Sequence, residues 1–152
     1  MYHSIKKLKE DSGPFTARAW YNKWVEKNVS GKILDIGKST FWDYGFETID
    51  INRDLLPSIV GDICGPNRLI SDTYDTVLCN GMYEFVEDPQ KMVDEVKRIL
   101  KIKGIAIFGF VTAGYTPYKR DWKYYDNNID FKMEIIKLKR FSNYYFIVCK
   151  KI

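Results

Sequence analysis

Residues 33–40, ILDIGKST, form an apolar run that stops at a glycine, as a buried strand does where it turns over a ligand. The last four letters, GKST, also match the tail of a phosphate-binding P-loop, and the two readings belong to different folds. A P-loop follows G-x-x-x-x-G-K-S/T, so with Gly37-Lys38-Ser39 its first glycine would fall where Lys32 stands; Gly31 is one place off. The residues between, KILDI, are strand-like, whereas a P-loop needs a glycine-permissive backbone whose N–H groups converge on phosphates. The dinucleotide pattern G-x-G-x-x-G also fails. After Gly37 no glycine follows until Gly45, and Asp50, the acid that ends the next strand, comes sooner than the ~20 positions such folds leave. ILDIG is therefore a strand and its turn.

Working outward, FETIDIN (46–52), PSIVGDI (57–63) and TYDTVLCN (73–80) read as three more strands, with a short crossover before the first. DPQKMVDEVKRILKIKG (88–104) reads as a helix, with Asp88 as its cap, Pro89 in its first turn and Gly104 closing it. Met92, Val93, Val96, Ile99 and Leu100 make its buried stripe. IAIFGFV (105–111) is apolar on both faces, like a central parallel strand. FKMEIIKLKRF (131–141) and NYYFIVCKK (143–151) flank a turn at Ser142-Asn143 and predict an antiparallel pair. Upstream, residues 14–29 predict a helix whose packed face holds Phe15, Ala19, Trp20, Trp24 and Val25. Strands alternating with helices and ending in a hairpin give an α/β fold, a mostly parallel sheet with an antiparallel C-terminal edge and flanking helices.

The chain has 152 residues, 45% of them hydrophobic and 16% aromatic, enough for the core of one domain, and the expectation is a single domain over 1–152. No apolar run reaches the ~20 residues of a membrane span, and the N-terminus is polar, so no membrane partner and a cytoplasmic location are expected. Cys64, Cys79 and Cys149 contain no C-x-x-C pair and read as buried free thiols rather than disulfides or zinc ligands. His3 is the only histidine, which argues against histidine triads and multi-histidine metal sites; no metal is expected. The net charge of +4 permits an anionic partner without requiring one.

ILDIG, TIDIN, VGDI, YDTVLCNGMYEFVEDP and EVKRILKIKGIAIFGFV resemble, in order and spacing, the successive motifs of class I S-adenosylmethionine-dependent methyltransferases, especially small members with an abbreviated first crossover helix. The resemblance implies a Rossmann-like methyltransferase fold and S-adenosylmethionine as cofactor. It implies that Asp50 accepts both ribose hydroxyls, that Ile51 packs on the adenine, and that Asp62 and the Ile63 backbone N–H meet the adenine edge. Asp62 can equally be a turn cap. Gly37 lets the backbone pass close to the cofactor, Asp35 helps hold the methionine amino group, and Asn80 and Gly81 line the methionine portion and the transfer face. The chain departs from the pattern at Ser39, where a second glycine is usual, and at Phe85, where a histidine is common. Lys38 could meet the cofactor's carboxylate or be a solvated lysine. Glu84 is the candidate proton acceptor, though methyl transfer requires no dedicated catalytic group.

By the same resemblance, the substrate is read by the segment after the fifth strand, here residues 112–128. Tyr115, Tyr118, Arg120 and Trp122 are its candidate contacts, mixing aromatic and basic side chains that could stack on a flat anionic acceptor or pack on the sheet. The segment is short, so either the acceptor is large or a homodimer completes the site. An Asn/Asp-Pro-Pro-aromatic run and a Pro-Cys nucleophile are absent, which counts against amino-directed and cytosine C5 DNA methylation. RNA, protein, sugar and small-molecule acceptors stay open. The expected function is methyl transfer from S-adenosylmethionine to such an acceptor; the alternative is a degenerate relative acting as a cofactor-binding or interaction subunit.

Overall fold

The computed structural model describes residues 17–38, 44–112, 125–141 and 144–152. Helix α1 (Ala17–Asn28) precedes β1 (Ile33–Ile36) and β2 (Glu47–Asp50); a 3-10 turn (Arg53–Leu55) leads to β3 (Ile59–Val60) and then β4 (Tyr74–Asn80). Helix α2 (Pro89–Ile99) crosses to β5 (Leu100–Val111), and β6 (Glu134–Phe141) and β7 (Tyr144–Lys150) finish the chain. All seven strands join one sheet in the order β3-β2-β1-β4-β5-β7-β6. β1 to β5 pair in parallel, and β7 runs antiparallel to both β5 and β6. The chain therefore starts mid-sheet, builds outward through β2 and β3, and returns to the other side of β1. That reversal between β1 and β4 is where open α/β sheets leave a crevice.

The central strands are apolar on both faces because both faces are covered. Val77, Cys79, Ala106 and Phe108 join the cluster under α2, whereas Leu78, Ile107 and Val148 join the one under α1. In α2, Asp88 accepts a hydrogen bond from the Lys91 N–H at 3.1 Å and Pro89 occupies the first turn, while Met92, Val93, Val96 and Ile99 are fully buried. The helix ends at Ile99, short of the expected Gly104: Leu100 is already extended and its N–H closes the last turn on Val96. α1 differs from expectation in its buried face. Tyr21, Asn22 and Val25 are buried, and Trp20 and Trp24 are only half-buried, with Trp20 stacking on Phe146 at 5.4 Å. Asn22 accepts a hydrogen bond from the Tyr44 hydroxyl, which ties the β1–β2 connection to this helix. Phe15 lies outside the described residues.

The C-terminus is locked in place. Lys151 Nζ donates to the Leu100 carbonyl at 2.7 Å and to Asp72 at 2.7 Å, and the Lys151 carbonyl accepts from Lys103 N–H at 2.7 Å. The three cysteines are free and buried, as expected.

Candidate functional site

The carboxyl ends of β1, β2 and β3 and the turn after β4 enclose a cavity of about 260 Å³. Asp50, Ile51, Asp62 and Ile63 line it, together with Met82 and Phe85. Asp50 is the last residue of β2, and its carboxylate is held from two sides: Oδ2 accepts the Lys38 N–H at 2.8 Å and Oδ1 accepts the Asn52 N–H at 2.8 Å. Each oxygen keeps an acceptor lone pair, so the group is oriented and still able to take two further donors. Gly61 N–H binds the Asp50 carbonyl at 2.9 Å and brings β3 alongside.

The glycine of the opening motif reaches this cavity through its backbone. Gly37 has φ +82°, donates its N–H to the Ile49 carbonyl at 2.8 Å, and lies so close to Met82 that an added Cβ would stand 2.5 Å from the sulfur. Lys38 contributes by its N–H. Asp62 has the local role weighed for it: Oδ1 accepts the Cys64 N–H at 2.8 Å and closes a turn, and the residue also lines the cavity. Ile51 and Phe85, 72% and 58% exposed, are large apolar side chains on the same cavity.

A second cluster forms at the end of β4 against β5. Gly81, at φ +70°, donates its N–H to the Gly109 carbonyl at 3.0 Å, and the Asn80 amide lies over Gly109, where a Cβ would collide with its oxygen. Asn80 Oδ1 is buried and has no hydrogen-bond partner among the described residues. Glu84 is 8% exposed, and its Oε2 is likewise buried without a partner. Burial pushes the Glu84 carboxyl up to about 7, against the pull of its own backbone N–H. Asp35, half-buried on β1, lies near the same place: burial first, then the Asp35 and Glu84 carboxylates, raise the Cys79 thiol well above its usual range.

Of the residues singled out in the sequence, Asp50, Ile51, Asp62 and Ile63 thus share one cavity, Gly37 and Lys38 are bonded to it, and Asn80, Gly81 and Glu84 form the neighbouring cluster. Tyr115, Tyr118, Arg120 and Trp122 lie outside the described residues. Tyr125, at the end of that segment, is a core residue, packed on Phe110 at 5.0 Å and edge-on to Tyr83 at 5.8 Å. Sequence reasoning missed Met82 and Gly109. A lone glycine inside the apolar run IAIFGFV was the available signal for the second, since it marks a close approach to the strand.

Residues 29–108 match the family model described as methyltransferase domain. The chain belongs to this family. Its sheet has the mostly parallel Rossmann-like form of the class I, S-adenosylmethionine-dependent methyltransferases. An uncharacterized protein of Methanocaldococcus jannaschii is 35% identical over 44% of this chain, a match that spans 36% of that relative's length. Among solved structures, the N-methyltransferase NodS of Bradyrhizobium japonicum, determined with S-adenosyl-L-homocysteine, superimposes with a TM-score of 0.69 at 11% identity, covering 97% of this chain and 96% of NodS. The cyclase SpnF superimposes with a TM-score of 0.68 at 11% identity over 87% of this chain and 79% of its own. S-adenosylmethionine, the family's cofactor, fits the residues present: an oriented carboxylate with free lone pairs and an apolar slot beside it.

Proposed function

We propose that this methyltransferase binds S-adenosylmethionine across the ends of β1 to β4 and transfers its methyl group to an acceptor placed over β4 and β5. The observation that carries the reading is the Asp50 carboxylate, fixed by two backbone N–H groups at the wall of an apolar cavity. Asp50 accepts the two ribose hydroxyls, one on each oxygen. Ile51 and Phe85 pack on the base and shed water from it, and Asp62 with the Ile63 N–H reads its edge. Asp35 and the Gly37 turn hold the amino-acid end, with Lys38 acting through its backbone. When bound, the cofactor supplies a methyl carbon already activated by a sulfonium, so the protein's share of the rate is alignment and exclusion of water. Glu84 stands where a proton can be taken from the acceptor.

Calorimetric titration with S-adenosylmethionine and S-adenosylhomocysteine tests this. Micromolar binding is expected, and Asp50→Ala should weaken it at least tenfold because buried ribose hydroxyls lose their acceptors. Failure of the unmodified protein to bind either compound at millimolar concentration would overturn the reading. The alternative, a cofactor-binding or interaction subunit, draws on the likeness to SpnF, a cyclase on the same fold. Methyl incorporation into any acceptor of a broad screen decides against it.

A further inference from the structure

Strand β6, Glu134–Phe141, ends the sheet, and among the described residues no strand follows it. Every residue from Glu134 to Arg140 is exposed. An edge of this kind offers a row of backbone N–H and C=O groups to any extended chain that can lie beside it. What can lie there is decided by the side chains.

Pairing with β7 sorts those side chains by face. Ile135 lies beside Cys149 and Leu138 beside Ile147, both of the cluster under α2; Lys137 lies beside Val148 and Lys139 beside Phe146, both of the cluster under α1. β6 is therefore aliphatic on one face and cationic on the other. Ile135 and Leu138 are 48% and 47% exposed, and Ile135 also lines an open groove of about 480 Å³ together with Ile129 and Met133. Glu134 is the only acid of the strand, against Lys137, Lys139 and Arg140.

These features separate the candidate occupants. A second copy of the chain would bring its own lysines against these. Lysines, together with the register shift between Ile135 and Lys137, are devices by which an edge avoids pairing with its own kind. A nucleic acid suits the charge but meets aliphatic side chains where it needs stacking rings. A lipid surface suits charge and apolarity, yet offers no backbone to pair with the edge. A strand with acids on one face and aliphatic residues on the other satisfies all three demands.

We infer that β6 is a docking edge for an extended segment of another protein in which acidic and aliphatic residues alternate. The segment extends the seven-stranded sheet by one, its backbone paired with β6. Its acids face Lys137 and Lys139, its aliphatic side chains meet Ile135 and Leu138, and one of them seats in the groove. The partner then sits at the opposite edge of the sheet from the cavity at β1 to β3, which stays open while it is bound.

The test uses the full chain and two short blocked peptides, one alternating valine with glutamate and one alternating valine with lysine. NMR follows binding and the exchange rates of the β6 amides. The glutamate peptide should bind with a submillimolar constant that weakens as salt is raised, and the lysine peptide at least tenfold more weakly. Exchange along β6 should slow in the complex. Lys137→Glu combined with Lys139→Glu, at exposed positions and checked for folding by Tm, should reverse the preference between the two peptides. Leu138→Ser should weaken binding of the glutamate peptide several-fold. No binding of that peptide, equal binding of both, or binding without protection of β6 overturns the inference. So does protection of the same amides by an oligouridylate or by phosphatidylserine vesicles, or a dimer in sedimentation that Leu138→Ser dissolves, since each would assign the edge to a different occupant.

Discussion

At the scale of single residues, the site depends on backbone as much as on side chains. Gly37 shows this most directly: its φ of +82° is strained for any residue with a Cβ, and Met82 occupies the space that Cβ would take. Gly37→Ala should cost about 1–2 kcal/mol in urea unfolding and weaken S-adenosylhomocysteine binding, because the turn that aims the Lys38 N–H at Asp50 must shift. Glu84 gives a pH signature. Its carboxyl titrates near 7 in the folded chain, above the ordinary glutamate value expected once unfolded. A raised folded pKa means the native state holds the proton more tightly, so this residue's contribution is fully present below about pH 4.5 and is lost as pH rises through 7. The loss is on the order of 3 kcal/mol. Denaturation midpoints of the unmodified protein should fall over that window relative to Glu84→Gln, and parallel profiles would show that the carboxyl is not buried as described.

At the scale of elements, legibility followed periodicity. The α2 stripe of Met92, Val93, Val96 and Ile99 was readable because apolar residues recur at helical spacing between charged ones. Its end was misread, since Gly104 lies inside β5 and the helix stops where Leu100 turns extended to pair with Tyr74. The α1 face was read from its tryptophans, but the structure buries Tyr21 and Asn22, because the Tyr44 hydroxyl arrives to satisfy the amide. No local pattern announces a partner 22 residues away. Two element-level substitutions have defined outcomes. Asp88→Ala should cost about 1 kcal/mol by removing the cap of α2, measured by thermal melting. Lys151→Met keeps the packing but strands the Leu100 carbonyl, and should cost about 1–3 kcal/mol in the same measurement.

At the scale of the whole molecule, the sheet is thickly covered at its centre and thin at the β6 edge, where Ile135, Ile136 and Leu138 are 42–48% exposed. The segment after β5 was read as either meeting the acceptor or packing on the sheet, and Tyr125 within it closes the core. Alanine at Tyr115, Tyr118, Arg120 and Trp122 together should leave S-adenosylhomocysteine affinity unchanged while abolishing methyl incorporation; equal loss of both would assign those residues to stability. The sequence by itself determined the α/β class, the order of motifs and the acids at strand ends, because apolar runs and their breaks are local. Only the tertiary structure decided that the Lys38 N–H meets Asp50, that Asn80 leans over Gly109, and that Glu84 Oε2 is buried without a partner. Those facts depend on which strands become neighbours, and residues 80 and 109 meet only once β4 and β5 are paired.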